Sequence, residues 1–203
     1  MPEYKGEMAL HRATGYLLKY PELSASNQEA VALSACTMAA NLGAAVNDNA
    51  LACRWDQLFE RQNSEGWFEE YGGADAGYLS VTCDALWDYY SISEDERALA
   101  ALGAASGFIY SLQGIRGEIP GMINSRNTNY IVPYGLAKFG KKSRTASAVV
   151  KCSLEGINCF DHFFHSVVHN LYYHTYLLQG IGQKNVLRLY CQILQYRPIS
   201  LAH

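Results

Sequence analysis

Residues 62–78, QNSEGWFEEYGGADAGY, lie between two runs of helical periodicity yet cannot be helix themselves, because Gly66, Gly72, Gly73 and Gly77 interrupt any regular backbone. Between those glycines stand Trp67, Phe68, Tyr71 and Tyr78, with carboxylates at Glu65, Glu69, Glu70 and Asp75. Rings, acids and glycines at this density exceed what a connector needs, and loops held by rigid elements are where binding and catalysis concentrate. A second stretch of the same character spans residues 114–135, GIRGEIPGMINSRNTNYIVPYG. The two stretches are expected to line one site, with helices holding them there.

The rest of the chain reads as helix. Residues 8–20 carry Leu10, Leu17 and Leu18, and Pro21 closes the run. Ser24 or Ser26 is expected to cap a helix over about 27–46, whose AVALSACTMAANLGAAV run has side chains small enough for close helix approach. Asn47 or Asp48 caps the next, to about residue 62, with Leu51, Trp55, Leu58 and Phe59 on one side. Residues 76–90 follow, with Leu79, Cys83, Leu86 and Tyr90 at helical spacing. SISEDER then restarts a helix over 98–112, with Ser93 as cap and three acids suited to a first turn. Further helices are expected over 145–157, 160–178 and 185–196. NYIVPY alternates only briefly, and Pro133 demotes it as a strand. Roughly eight helices and no convincing strand predict a single all-α domain over residues 1–203. Stacked helical hairpins would form a bundle, or part or all of an α/α toroid.

A chain of 203 residues with 49% hydrophobic content can bury one sizeable core. The net charge of -3 is spread along it without a basic tract, so nucleic acid is not expected as a partner. No apolar run approaches the ~20 residues that cross a bilayer. The first residues scatter their charge and lack an apolar core of signal type. No membrane partner and a cytoplasmic location are therefore expected. The six cysteines form no CxxC pair, and most sit in apolar helical runs, which predicts buried free thiols over a disulfide framework or zinc site.

QNSEGW fits the pattern Q-x-x-x-G-W of the α/α toroids of terpene cyclases. The longer run GWFEEYGGADAGYLSVTCDAL resembles a group of bacterial proteins with a heparinase-like or cyclase-like α/α toroid. In that group a W-F-x-E-Y-x-G-A-D-x-G-Y run starts a helix. An S-R-N-T-(E/N)-(Y/F) run and a Pro-x-Gly follow later in the chain. Here these are residues 125–130 and Pro133-Tyr134-Gly135, and the resemblance covers about 61–136. It implies a toroid-type fold and a role in handling glycans, as in polysaccharide lyases and some glycoside hydrolases. The chain departs from it in having fewer helices than a full ring. It also has Asn129 where a carboxylate can stand, which puts an acid/base role there in doubt.

Arg126 offers a fixed fork of donors suited to a carboxylate, sulfate or phosphate, so with Asn127 it is a candidate anchor for an acidic sugar. A bland alternative has Arg126 tying its loop to backbone carbonyls or to Asp75. Trp67, Tyr71, Tyr78, Tyr130 and Tyr134 could face sugar rings with apolar area and a polar handle, although Trp67 and Phe68 also suit core positions. Asp75 and Glu70 could work as acid and base in glycoside hydrolysis, where their separation would set the outcome. Asp75 equally suits the N-cap of the helix that follows it.

His162, His165 and His169 lie at i, i+3 and i+7 in DHFFHSVVHNLYYH, on one helical face. Three ligands from one straight helix rarely converge on one ion, so no metal is expected, and no cofactor motif is present: GADAGY lacks the P-loop lysine. In a lyase reading His165 or Tyr130 takes the proton alpha to a uronate carboxylate, which Arg126 or Asn127 neutralises. The expected function is thus a polysaccharide-active protein, lyase or hydrolase, binding an acidic oligosaccharide or polysaccharide. The alternatives are a non-catalytic glycan- or protein-binding helical module and, more weakly, a terpenoid-cyclase-like enzyme, for which no D-D-x-x-D run exists. An incomplete ring would expose an apolar edge and favour a homo-oligomer.

Overall fold

The structure, a computed structural model, describes residues 2–121, 123, 128 and 130–155. It is all-α, with helices α1 (Pro2–Lys19), α2 (Ser26–Asn41), α3 (Asp48–Glu60), α4 (Ala76–Ser93), α5 (Glu96–Leu112), α6 (Tyr134–Phe139) and α7 (Arg144–Glu155). Among the described residues, pairing of β type is confined to isolated bridges, Ala25 with Glu70, Gln62 with Phe68 and Glu70 with Gly73. The helices expected over 160–178 and 185–196 lie outside the described residues.

Helix α4 is the hub. It packs against α2, α5 and α6, while α7 packs against α5 and α6, and α1 and α3 lie against α2. Leu79, Cys83 and Leu86 of α4 are fully buried with Leu33 of α2 and Leu102 and Ile109 of α5. Each such aliphatic side chain contributes about 2 kcal/mol relative to exposure. Trp55 of α3 stacks on Tyr89 of α4 at 4.0 Å between ring centroids, and its indole N–H donates to Thr37 Oγ1 at 3.1 Å. One ionic knot holds α1, α2 and α3 together. Arg54 donates to Glu29 through Nε at 2.6 Å, and to the carbonyl oxygen of Leu18 at 2.8 Å. The second Glu29 oxygen accepts from the Glu22 amide at 2.8 Å.

Three local expectations give way, the first of them to a tertiary partner. Helix α2 starts with Ala25 at the N-cap position, because Ser26 turns its hydroxyl to the Glu69 carbonyl instead of the helix amides. It ends at Asn41, short of residue 46, where Gly43 takes φ +89 and its amide closes on the Ala40 carbonyl. Asp95, not Ser93, caps α5: Ser93 belongs to α4, and the chain reverses at Glu94 in the left-handed region. Asn47 caps α3 through the Ala50 amide, one of the two residues expected to do so.

A junction of two glycine-broken segments

The first segment is clamped between helices. Gln62 Nε2 donates to the carbonyls of Gly66 and Ala101, at 2.9 and 3.0 Å. Gly66 takes φ +101 with its α-carbon against the Ala104 carbonyl, where a Cβ has no room. Farther along, Ser26 N and Tyr71 N bond to the Glu69 and Ser24 carbonyls, pinning residues 69–71 to the start of α2. Phe68 is buried in the core, while Trp67 is half-buried, packs on the core's edge and donates its indole N–H to Glu65 at 2.9 Å.

The second segment is fixed at both ends. Near its start, Gln113 Nε2 donates to Val149 O and Ser153 Oγ of α7, and Gly117, at φ +81, lies against the Cys152 carbonyl. Near its end, residues 128–135 lie along a polar stripe of α4. Gly77, Ser80, Asp84 and Asp88 follow one another at spacings of three and four, which places them on one helix face. Ser80 Oγ accepts from Val132 N at 2.8 Å, Asp84 accepts from Gly135 N at 2.6 Å, and Asp88 accepts from the Tyr134 hydroxyl at 3.1 Å.

These acids are buried, and burial raises both carboxyls: Asp84 well above the ordinary range, and Asp88 to about 6 despite the Tyr134 hydroxyl and nearby Lys138. Burial and the same two aspartates push the Tyr134 phenol up. Asp84 and Asp88 escape a reading of the sequence that looks only at loops. The signal is present, however, as two acids four apart on an otherwise apolar helix, in line with a serine and a glycine.

The two segments meet at the start of α4. Asp75 caps the helix, its Oδ1 accepting from the Tyr78 amide at 2.9 Å, and its Oδ2 accepts from the hydroxyl of Thr128. Gly77 makes the approach possible: a Cβ there would stand 2.8 Å from Thr128 Cβ and 3.1 Å from the Tyr130 carbonyl oxygen. Asp75, Tyr78, Thr128 and Tyr130 therefore share one place, and Glu70 lies close enough to feel the Asp75 charge. Glu70 is buried and accepts from the Asn27 amide at 2.6 Å. Tyr71 is 38% exposed, and its hydroxyl accepts from Gln28 of α2 at 3.1 Å. Tyr134 stands apart: Asp88, its partner, is thirteen residues along α4 from Asp75, roughly 20 Å at the helical rise per residue. Arg126, Asn127 and His165 lie outside the described residues, as do His162 and His169.

Among the described residues no group of three or more His, Cys, Asp or Glu is placed to hold a metal ion. Cys36 and Cys83 are buried free thiols, Cys53 is exposed and Cys152 half-buried. No described helix is long and apolar enough to cross a membrane. No family model, curated protein or solved structure matches this chain.

Proposed function

We propose that this chain binds an acidic oligosaccharide or polysaccharide at the junction, on the concave side of an α/α-toroid-type arrangement, and acts on it as a lyase. The observation that supports this reading is the Asp75–Thr128 hydrogen bond. It brings the residue next in sequence to Arg126 and Asn127 against the segment that carries Trp67, Tyr71 and Tyr78. A guanidinium fork suits a uronate carboxylate, and half-exposed rings suit sugar faces.

Hydrolysis by an Asp75–Glu70 pair fits less well. A glycosidase needs two carboxyl groups free to flank the scissile bond. Both Asp75 oxygens are engaged by the α4 amide and Thr128, and Glu70 is buried at the start of α2. Asp75 then positions the second segment. Elimination would fall to Tyr130 or His165 as proton acceptor, with Arg126 and Asn127 neutralising the carboxylate. The same commitment of Asp75 also favours a second reading, a glycan- or protein-binding module without catalysis.

Incubation with a panel of uronate polymers separates the two. A lyase generates unsaturated chain ends that absorb in the ultraviolet, whereas retained oligosaccharide binding with no new absorbance selects the module. Arg126→Ala is expected to weaken binding of acidic oligosaccharides about tenfold or more, as loss of a charged hydrogen bond would. Its circular dichroism should remain that of the parent. Unchanged affinity, or loss of helix content, would remove Arg126 as the ligand anchor.

A further inference from the structure

The first segment is rooted in α2 through a buried acid. Helix α2 begins without a side-chain cap at Ala25, and Glu70 supplies one from 43 residues away by accepting from the Asn27 amide. Around that bond, Ser26 N donates to Glu69 O at 3.2 Å and Tyr71 N to Ser24 O at 2.7 Å. The chain then doubles back, Glu70 N donating to Gly73 O at 2.8 Å. The reversal is tight enough to put Tyr71 at φ +53 and Gly72 at φ +89. A non-glycine residue in that region costs about 1 kcal/mol or more and persists only where its surroundings hold it. Tyr71 is thus displayed by a strained turn whose root is Glu70.

Among the described residues, three charged groups face Glu70: Asp75 from the cap of α4, Glu22 from the α1–α2 connection, and Arg61 from the end of α3. The Arg61 guanidinium donates to the carbonyls of Glu22 and Leu23, at 3.0 and 2.9 Å. Two acids and exclusion of water oppose a charge on Glu70, while the Asn27 amide and Arg61 favour it. Burial prevails and lifts the Glu70 carboxyl to about 7.

We infer that the turn at residues 69–73 is a proton-operated latch: with Glu70 neutral the turn is held on α2 and displays Tyr71 at the junction, and with Glu70 ionised it loosens. The bearing of the latch on ligand binding rests on the proposed glycan reading. The latch itself does not, and its test needs no ligand. The sign follows from linkage. With the turn open, Glu70 meets water and titrates near its ordinary value of 4.5. The closed turn holds the proton more tightly, so its advantage is complete below that value and is lost as pH rises through about 7.

Amide hydrogen exchange at pH 5.5 and pH 8, divided by the intrinsic chemical rates and referenced to core amides of α5, reads the latch directly. Protection of the Ser26, Asn27 and Tyr71 amides should fall by roughly tenfold or more at the higher pH. Glu70→Gln keeps an oxygen for the Asn27 amide but cannot titrate, and its protection should change by less than about twofold. Asp75→Asn provides an independent arm: removing one repelling charge should move the loss of protection to lower pH. The latch is overturned if the parent shows no such pH dependence, if Glu70→Gln shows the same one, or if the Asp75→Asn midpoint stays in place.

Discussion

Gly135→Ala should cost about 3 kcal/mol or more of stability and lower the melting temperature by roughly 8 °C. The reasoning is steric. A Cβ at position 135 would stand 2.6 Å from the Cys83 carbonyl carbon and 2.7 Å from the Asp84 Cα. Those are backbone atoms of the central helix, so no side chain can swing aside. Helix propensity works the other way, since alanine in place of a helical glycine gains at most about 1 kcal/mol. Gly135 is the second residue of α6, yet the clash outweighs that gain. Forcing the segment off α4 would also separate the Gly135 amide from Asp84, stranding a buried acceptor. Differential scanning calorimetry of the variant beside the parent makes the comparison. An unchanged melting temperature would mean that residues 132–136 do not lie against α4.

Arg54→Met should be of similar size, a loss of about 3–5 kcal/mol, because it leaves Glu29 as a buried charge without its cation. The cost has a second part: the carbonyls of Leu17 and Leu18 lose the guanidinium that satisfies them at the end of α1. Adding Glu29→Gln to Arg54→Met should recover part of the loss, since a neutral amide in the same place can still accept from the Glu22 amide. Urea midpoints for the two single variants and the pair measure it. A single Arg54→Met variant as stable as the parent would remove the knot that joins the first three helices.

The all-α class was legible because helical apolar spacing recurred along α3, α4 and α5, with a cap residue ahead of α3 and α4 and acids at the start of α5. Asp75 as the α4 cap was one of two open readings, and the Asp-Ala-Gly-Tyr step into helix carries it locally. What stayed hidden depends on partners far away in the chain. Ser26 has every local feature of a cap, yet a carbonyl 43 residues on takes its hydroxyl. Pro133-Tyr134-Gly135 reads as the end of the second loop, and leads into α6 with Asp84 and Asp88 gripping it from the side. The stripe on α4 could have been found, because acids on a buried helix face demand donors. No local rule names which donors. The bond from Thr128 to Asp75 spans 53 residues, and the sequence raised the meeting of the two segments only as an expectation.

A double-mutant cycle on Asp75 and Thr128 tests that meeting most directly. Asp75→Ser keeps a good helix cap but has no second oxygen for Thr128, Thr128→Val keeps the shape, and each removes one partner of the buried hydrogen bond. A coupling free energy of about 1.5–3 kcal/mol from chemical unfolding is the predicted result, the range of a hydrogen bond to a charged group. Additive losses, with coupling near zero, would mean that the two glycine-broken segments do not join at the start of α4.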